Sequence, residues 1–314
     1  MIKIIKHDLG NITAVYTIID DIATFTIVPK EKSNIIDNNK LTLKGEKYNL
    51  PDPLIQVHVF GDKVNRQYSA GQTMRNSQSS YELKYCRQKE LVTDNTKEII
   101  TYLEREDGQK AEHHVVYKSQ TKYLNAYTVY INDSDNDIVL EMLSSFSLGS
   151  ITPFVKDNPV GKIILHRLRS QWSAEAFLES FECEKLLMEP SWMNYGVRGE
   201  RFGQRGSFPA RPFMPFAGIT DTKNNITWAA NIGCPSSWQM EFYLAQNSVN
   251  LSGGLADFEF GHWRKILKKG QKLITPTATI TVISGDIDEA AQILTQKQKE
   301  YKILDNEKSL PIFI

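Results

Sequence analysis

Apolar and polar residues alternate with the two-residue period of a strand over most of this chain. Thr13 to Ile19 and Ile22 to Val28 are β-branched runs separated only by Asp20-Asp21, a pattern that predicts a tight hairpin. Tyr123 to Ile131 and Val139 to Phe146 flank the polar cluster Asn132 to Asp137, which reads as a second hairpin or a longer loop. In Thr277 to Val282, Thr alternates with Ala278, Ile280 and Val282, predicting a half-buried strand with one apolar face. The period changes only near the end. Ile287, Ala290, Ala291, Leu294 and Tyr301 recur at helical spacing, and Asp286 with Glu289 three residues later forms an acidic capping pattern, so one helix is expected over about 286–302.

Beyond that helix, Leu304 to Ser309 is polar and Leu310 to Ile314 has the apolar composition of a buried parallel strand. The reading is many antiparallel strands, one helix, a linker, and the first strand of a further domain. Asn65 to Ser80, rich in Ser, Gln and Asn, is the best candidate for a long exposed loop.

The charge balance narrows the function classes. Lys plus Arg equals Asp plus Glu at 37 each in 314 residues, so no net field favours nucleic acid or an anionic membrane. Neither a signal-like start nor an apolar run long enough to span a bilayer is visible, which predicts a cytoplasmic protein. Cys86, Cys183 and Cys234 match no zinc spacing or disulfide framework and read as reduced thiols. His113 and His114 are adjacent, so on a strand they face opposite ways and cannot chelate together. No cofactor or metal is expected.

All five tryptophans fall between Trp172 and Trp263. An indole can stack on the C–H face of a sugar while nearby polar groups bind its hydroxyls, but most of these rings are expected to be core. Trp192 stands apart in the polar, Gly-rich setting Glu189 to Gly196, just before Arg198, Glu200, Arg201, Arg205 and Arg211. The Arg198–Arg211 segment is either a rigid loop presenting guanidinium groups at a pocket rim or an ion-paired sheet surface. Carboxylate pairs for glycoside hydrolysis are weak: Glu179 with Glu182, or Asp257 with Glu259 on one face of a strand. His262 with Glu259 is the nearest approach to a mutarotase-like pair.

Several of these strings, in order, carry a family likeness. His166-Arg-Leu-Arg-Ser-Gln-Trp-Ser-Ala-Glu175, Leu187-Met-Glu-Pro-Ser-Trp192, Glu200-Arg-Phe-Gly-Gln204, Trp238-Gln-Met-Glu241, Ser252-Gly-Gly-Leu-Ala-Asp257 and Thr275-Pro276 resemble the N-terminal region of glycoside hydrolase family 36 α-galactosidases. Leu50-Pro-Asp-Pro53 and Leu140-Glu-Met-Leu-Ser-Ser-Phe-Ser147 extend the likeness over nearly the whole chain.

The resemblance implies an all-β fold, a large antiparallel, galactose mutarotase-like β-supersandwich over 1–284. A helix and linker at 285–309 would follow, with 310–314 opening a (β/α)8 catalytic barrel. In that family two barrel aspartates carry out retaining hydrolysis, so no catalytic residue is expected here and the segment alone should be inactive. Trp192 looks like the tryptophan that the sandwich adds to the galactose pocket. Arg205 would stand at the rim, and Asp52 and Arg75 match the loop that reaches a neighbouring subunit's site in an oligomer. The expected partners are an α-galactoside and further copies of the chain. Trp192 should be open, and Trp238 and Trp263 closed. The competing reading is a stand-alone carbohydrate-binding module.

Overall fold

The computed structural model describes residues 2–37, 52–63, 73–154, 160–189, 197–208, 210–245 and 248–299. The described residues form three sheets, whose pairings are all antiparallel. The first is a meander of Ile2–Leu9, Ile12–Ile19 and Ile22–Pro29. Its second turn consists of Asp20 and Asp21 alone, both in the left-handed region at φ 49° and 63°. That is the geometry whose twist matches a two-residue hairpin, and Asp tolerates it better than a branched residue does.

The second sheet has ten strands. From one edge it runs Ala174–Glu182, Ile163–Gln171, Phe213–Asp221, Ile226–Ile232, Ala278–Ile283, Leu124–Asn132, Gln109–Lys118, Thr96–Glu104 and Lys84–Val92, with Lys272–Ile274 also on Leu124–Asn132. The third sheet has six, running Val197–Gln204, Trp238–Ala245, Ser248–Leu255, Ile138–Ile151 and Lys265–Leu267, with Val57–Val59 also on Ile138–Ile151. The chain therefore changes sheet at Asn132 to Asp137. Leu124–Asn132 and Ile138–Ile151 lie in different sheets, so this polar cluster is a crossing loop and not a hairpin. Asn132 holds it, with Nδ2 donating to the carbonyls of Asn136 and Leu267 at 2.9 and 2.8 Å.

One continuous core joins all three sheets, with Tyr16 and Phe25 from the first, Trp228 and Val115 from the second, and Phe146 and Trp238 from the third. The Trp228 indole N–H donates to the Ile27 carbonyl at 2.7 Å, which satisfies the one polar atom of a fully buried ring and ties the meander to the ten-stranded sheet.

The expected helix is Ile287–Lys299 among the described residues, and its start is capped reciprocally. Glu289 N donates to Asp286 Oδ1 at 3.0 Å, and Asp286 N to Glu289 Oε2 at 3.4 Å. Ala290 and Leu294 pack on Phe216 and Ala229, covering the outer face of the ten-stranded sheet. That cover changes one expectation: the Ala278–Ile283 strand is buried on both faces, not one. Its outward threonines, opposite Ala278, Ile280 and Val282, are satisfied locally, Thr281 by the Lys122 carbonyl at 2.6 Å and Thr279 by Asn125 Oδ1 at 3.2 Å. The segment read as a long exposed loop is also corrected. Residues 73–80 are mostly buried and include the start of a short helix, Gln78–Glu82, capped by Ser77; residues 64–72 lie outside the described set.

Candidate functional site

Two features could carry function, and the sequence candidates divide between them. The first is a buried polar seam under the 52–80 segment. Arg75, 2% exposed, donates from Nε to Glu241 Oε2 at 2.9 Å and stacks 5.8 Å from the Tyr243 ring. Asp52, 6% exposed, accepts from Ser147 Oγ at 3.1 Å and from the Tyr243 hydroxyl. Gln56 locks the two halves together: its Nε2 lies 3.3 Å from Asp52 Oδ1 and 3.0 Å from Asn76 Oδ1, and its Oε1 accepts from the Asn76 backbone at 2.7 Å. Gly149 makes room, since a Cβ there would come within 3.0 Å of the Asp52 Cβ.

Burial dominates the electrostatics of this seam. It pushes the Asp52 carboxyl up to about 7, against the opposing pull of the Ser147 hydrogen bond and the Arg75 charge. Burial also raises Glu241, again opposed by Arg75. Asp52 and Arg75 thus face inward and pin a segment against the six-stranded sheet, and in this arrangement they present no group to a ligand in solvent.

The second feature is an open cleft of about 410 Å3 beside the Val197–Gln204 strand, lined among others by Arg201, Arg205, Arg211, Phe202, Phe213 and Phe260. The Arg198–Arg211 segment combines both of its sequence readings. Arg201 on the strand is ion-paired, its Nη1 lying 3.3 Å from Asp257 Oδ2 and 3.0 Å from Glu259 Oε2. Arg205, past the strand's end, is exposed and stands 5.7 Å over the Phe260 ring. Its backbone is held on both sides: Gln204 Nε2 donates to the Arg205 carbonyl at 2.6 Å, and Gly206 N to Ser237 Oγ at 2.8 Å. Gly203 leaves room chiefly for the backbone of the paired strand, since a Cβ there would overlap the Trp238 carbonyl and also crowd Phe260 Cε1 at 3.0 Å.

The remaining candidates resolve into structure. Asp257 and Glu259 do not share a strand face. Asp257 caps the short helix Phe258–Gly261, accepting from Phe260 N at 2.7 Å and from Gln239 Nε2 at 2.6 Å. A side-chain acceptor ahead of a turn is a cap signal, and Asp257 carries it in the sequence. Glu179 is held by Arg167 at 2.7 Å and Arg169 at 2.8 Å, and Arg167 also reaches Glu200 at 2.5 Å. His166 is bonded to Ser180 and Thr220, and burial lowers it to about 4. His113 and His114 do face opposite ways. His113 is sealed in the core 5.3 Å from Phe25, and burial lowers it to about 3, while His114 lies 2.8 Å from Glu98. Among the described residues no group of three His, Cys, Asp or Glu side chains is placed to hold a metal ion.

Trp238 is fully buried, Trp263 only half-buried, and Trp172 is 93% exposed. Trp192 and Leu310 to Ile314 lie outside the described residues. Among the described residues no helix is long and apolar enough to cross a membrane.

No family model and no curated protein sequence matches the chain. Solved structures do resemble it. A GH36 α-galactosidase of Geobacillus stearothermophilus is similar over 93% of this chain and 42% of its own, with a TM-score of 0.64 at 10% identity. An α-galactosidase from Lactobacillus brevis is similar over 93% and 41%, with a TM-score of 0.63 at 12% identity. The galactosidase domain of an α-galactosidase-sucrose kinase gives 90% and 42%, with a TM-score of 0.57 at 10% identity. The chain thus shares the fold of a part of these enzymes and spans less than half of their length.

Proposed function

We propose that this chain is the N-terminal, non-catalytic β-supersandwich of an α-galactosidase that removes terminal α-galactosyl residues with retention. The observation that carries the reading is the match of more than nine-tenths of the chain to under half of such enzymes, together with the ordered motifs from Leu140 to Pro276. In this reading the sandwich frames the pocket of a barrel that supplies both catalytic aspartates. Trp192 forms part of the pocket wall, Arg205 adds a guanidinium at its rim, and Asp52 and Arg75 act by fixing the segment that meets a neighbouring subunit. The parent is a cytoplasmic homo-oligomer.

The test is an assay of the purified chain with an aryl α-galactoside. No turnover above the uncatalysed rate is expected, because nucleophile and general acid together supply most of the rate of such a reaction. Turnover that persists through repurification and vanishes on mutating a carboxylate of this chain sinks the proposal.

One observation favours a second reading, a free-standing carbohydrate-binding module. Trp172 at 93% and Phe177 at 63% exposure lie on one hairpin at the edge of the ten-stranded sheet, two aromatic side chains open to solvent. Loss of binding to galactan on Trp172→Ala would favour the module.

A further inference from the structure

On the outer face of the ten-stranded sheet, three hydroxyls and an imidazole form a row from the sheet edge to the start of the Ile287–Lys299 helix. Ser180 Oγ lies 2.8 Å from His166 Nδ1, and His166 Nε2 lies 3.0 Å from Thr220 Oγ1. Thr220 Oγ1 is 2.9 Å from Thr227 Oγ1, which is 2.7 Å from the Gly285 carbonyl oxygen. Strand register sets the groups side by side, with Ser180 opposite His166 and Thr220 opposite Thr227.

The direction of every bond in this row follows from its last member. A carbonyl only accepts, so Thr227 gives its one hydroxyl proton to Gly285. The contact between the threonines then takes the proton of Thr220, and the contact to Thr220 takes an N–H from His166 Nε2. Burial lowers His166 to about 4, so the ring is neutral at pH 7 and its Nδ1 carries a bare lone pair. Ser180 therefore donates to Nδ1. A serine hydroxyl aimed at a neutral imidazole, whose other nitrogen is fixed by a third group, is the arrangement that activates a nucleophile. His166 is buried while Ser180 is exposed, so the base is shielded and the hydroxyl meets solvent. On the same face of the strand stand the exposed Leu178 and the carboxylate of Glu182, neighbours that favour an uncharged acyl group over an anionic one.

We propose that Ser180 is a nucleophile that takes an acyl group from an activated, uncharged ester, with His166 as its general base and Thr220 as the residue that positions the ring. Ser180 Oγ bonds to the ester carbonyl carbon as its proton passes to His166 Nδ1. The bond from that carbon to the leaving oxygen breaks, and the proton departs on the released alcohol or phenol. The product is an acyl-serine. It accumulates and does not turn over, because Thr220 offers a hydroxyl where a fast serine hydrolase has a carboxylate to stabilise the imidazolium. The inference goes beyond the glycosidase reading and does not rest on it.

The experiment is incubation of the full chain with p-nitrophenyl acetate, with the acetyl group on Ser180 followed over time by tandem mass spectrometry. Ser180 should be acetylated at a rate that is level between about pH 5.5 and about pH 8, because its base is already neutral throughout that range. The rate should fall at least about tenfold in His166→Asn, a modest share of what a general base supplies. It should fall several-fold in Thr220→Val and be kept in Thr220→Ser, which retains the hydroxyl that orients the ring. Absence of acetyl on Ser180 overturns the proposal. So does a rate that climbs about tenfold with each pH unit, the mark of unaided attack by the alkoxide. Should His166→Asn fail to fold, the Thr220 pair decides, and equal rates in Thr220→Val and Thr220→Ser overturn it.

Discussion

At the scale of single residues, the seam around Asp52 makes stability depend on pH in a direction opposite to that of an ordinary salt-bridged carboxylate. The folded-state value of about 7 lies above the usual 3.8, so between those limits the folded chain holds a proton that the unfolded chain has released. Stability from this group is therefore full below about pH 4 and falls as pH rises towards 7, by at most about 1.4 kcal/mol per pH unit for one proton. The buried histidines oppose it. His166, lowered to about 4 from 6.5, gains stability as pH rises through that window. Comparing variants separates the two: the stability of the natural chain relative to Asp52→Asn should fall between pH 4 and 7 in urea titrations, and relative to His166→Asn it should rise between pH 4 and 6.5. A flat Asp52 difference would show that the carboxyl is not held protonated. Trp192 belongs to this scale too: under the proposed function, Trp192→Ala in an α-galactosidase carrying this domain should weaken galactoside binding by about 1–3 kcal/mol with the fold intact, as measured by KM and thermal melting, the amount expected for one aromatic contact.

At the scale of elements, local signals were legible wherever backbone and side chain of the same segment satisfy each other. Asp20-Asp21 and the Asp286/Glu289 box are of this kind, and both appear as read. Asp286→Ala should cost about 0.5–2 kcal/mol by removing the acceptor for Glu289 N, detectable as a lower urea midpoint with an unchanged slope. A fall confined to the helix signal, with the sheets unaffected, would mean that Ile287–Lys299 is not coupled to the core through Ala290 and Leu294. What was not legible is which partner an element takes. Asn132 to Asp137 has the composition of a hairpin turn or a longer loop, and only the fold shows that its flanking strands join different sheets, with Asn132 bonded to the distant Leu267 carbonyl.

At the scale of the whole molecule, the main core runs through all three sheets, and the cluster that the meander keeps apart from it, Val15 and Val28 with Ile4 and Phe154, is small. Amide hydrogen exchange should accordingly show the central amides of Ile12–Ile19 and Ala278–Ile283 opening with the same free energy, that of global unfolding. Earlier exchange of the meander would mean that it is a separate cooperative unit. The sequence by itself determined that this chain is built of antiparallel strands with one long helix near 287–299, because period, turn residues and caps are short-range properties that each segment carries alone. It also singled out Arg205, Asp52 and Arg75 as polar candidates. Only the tertiary structure decided which of them meet solvent. Asp52 and Arg75 look as polar as Arg205 in the chain, but they are enclosed by Tyr243, Glu241 and Ser147, brought from residues far along the sequence. Arg205 stays open because its strand ends one residue before it. Burial of a polar group depends on what packs over it, and no periodicity within a segment records what a distant strand will cover.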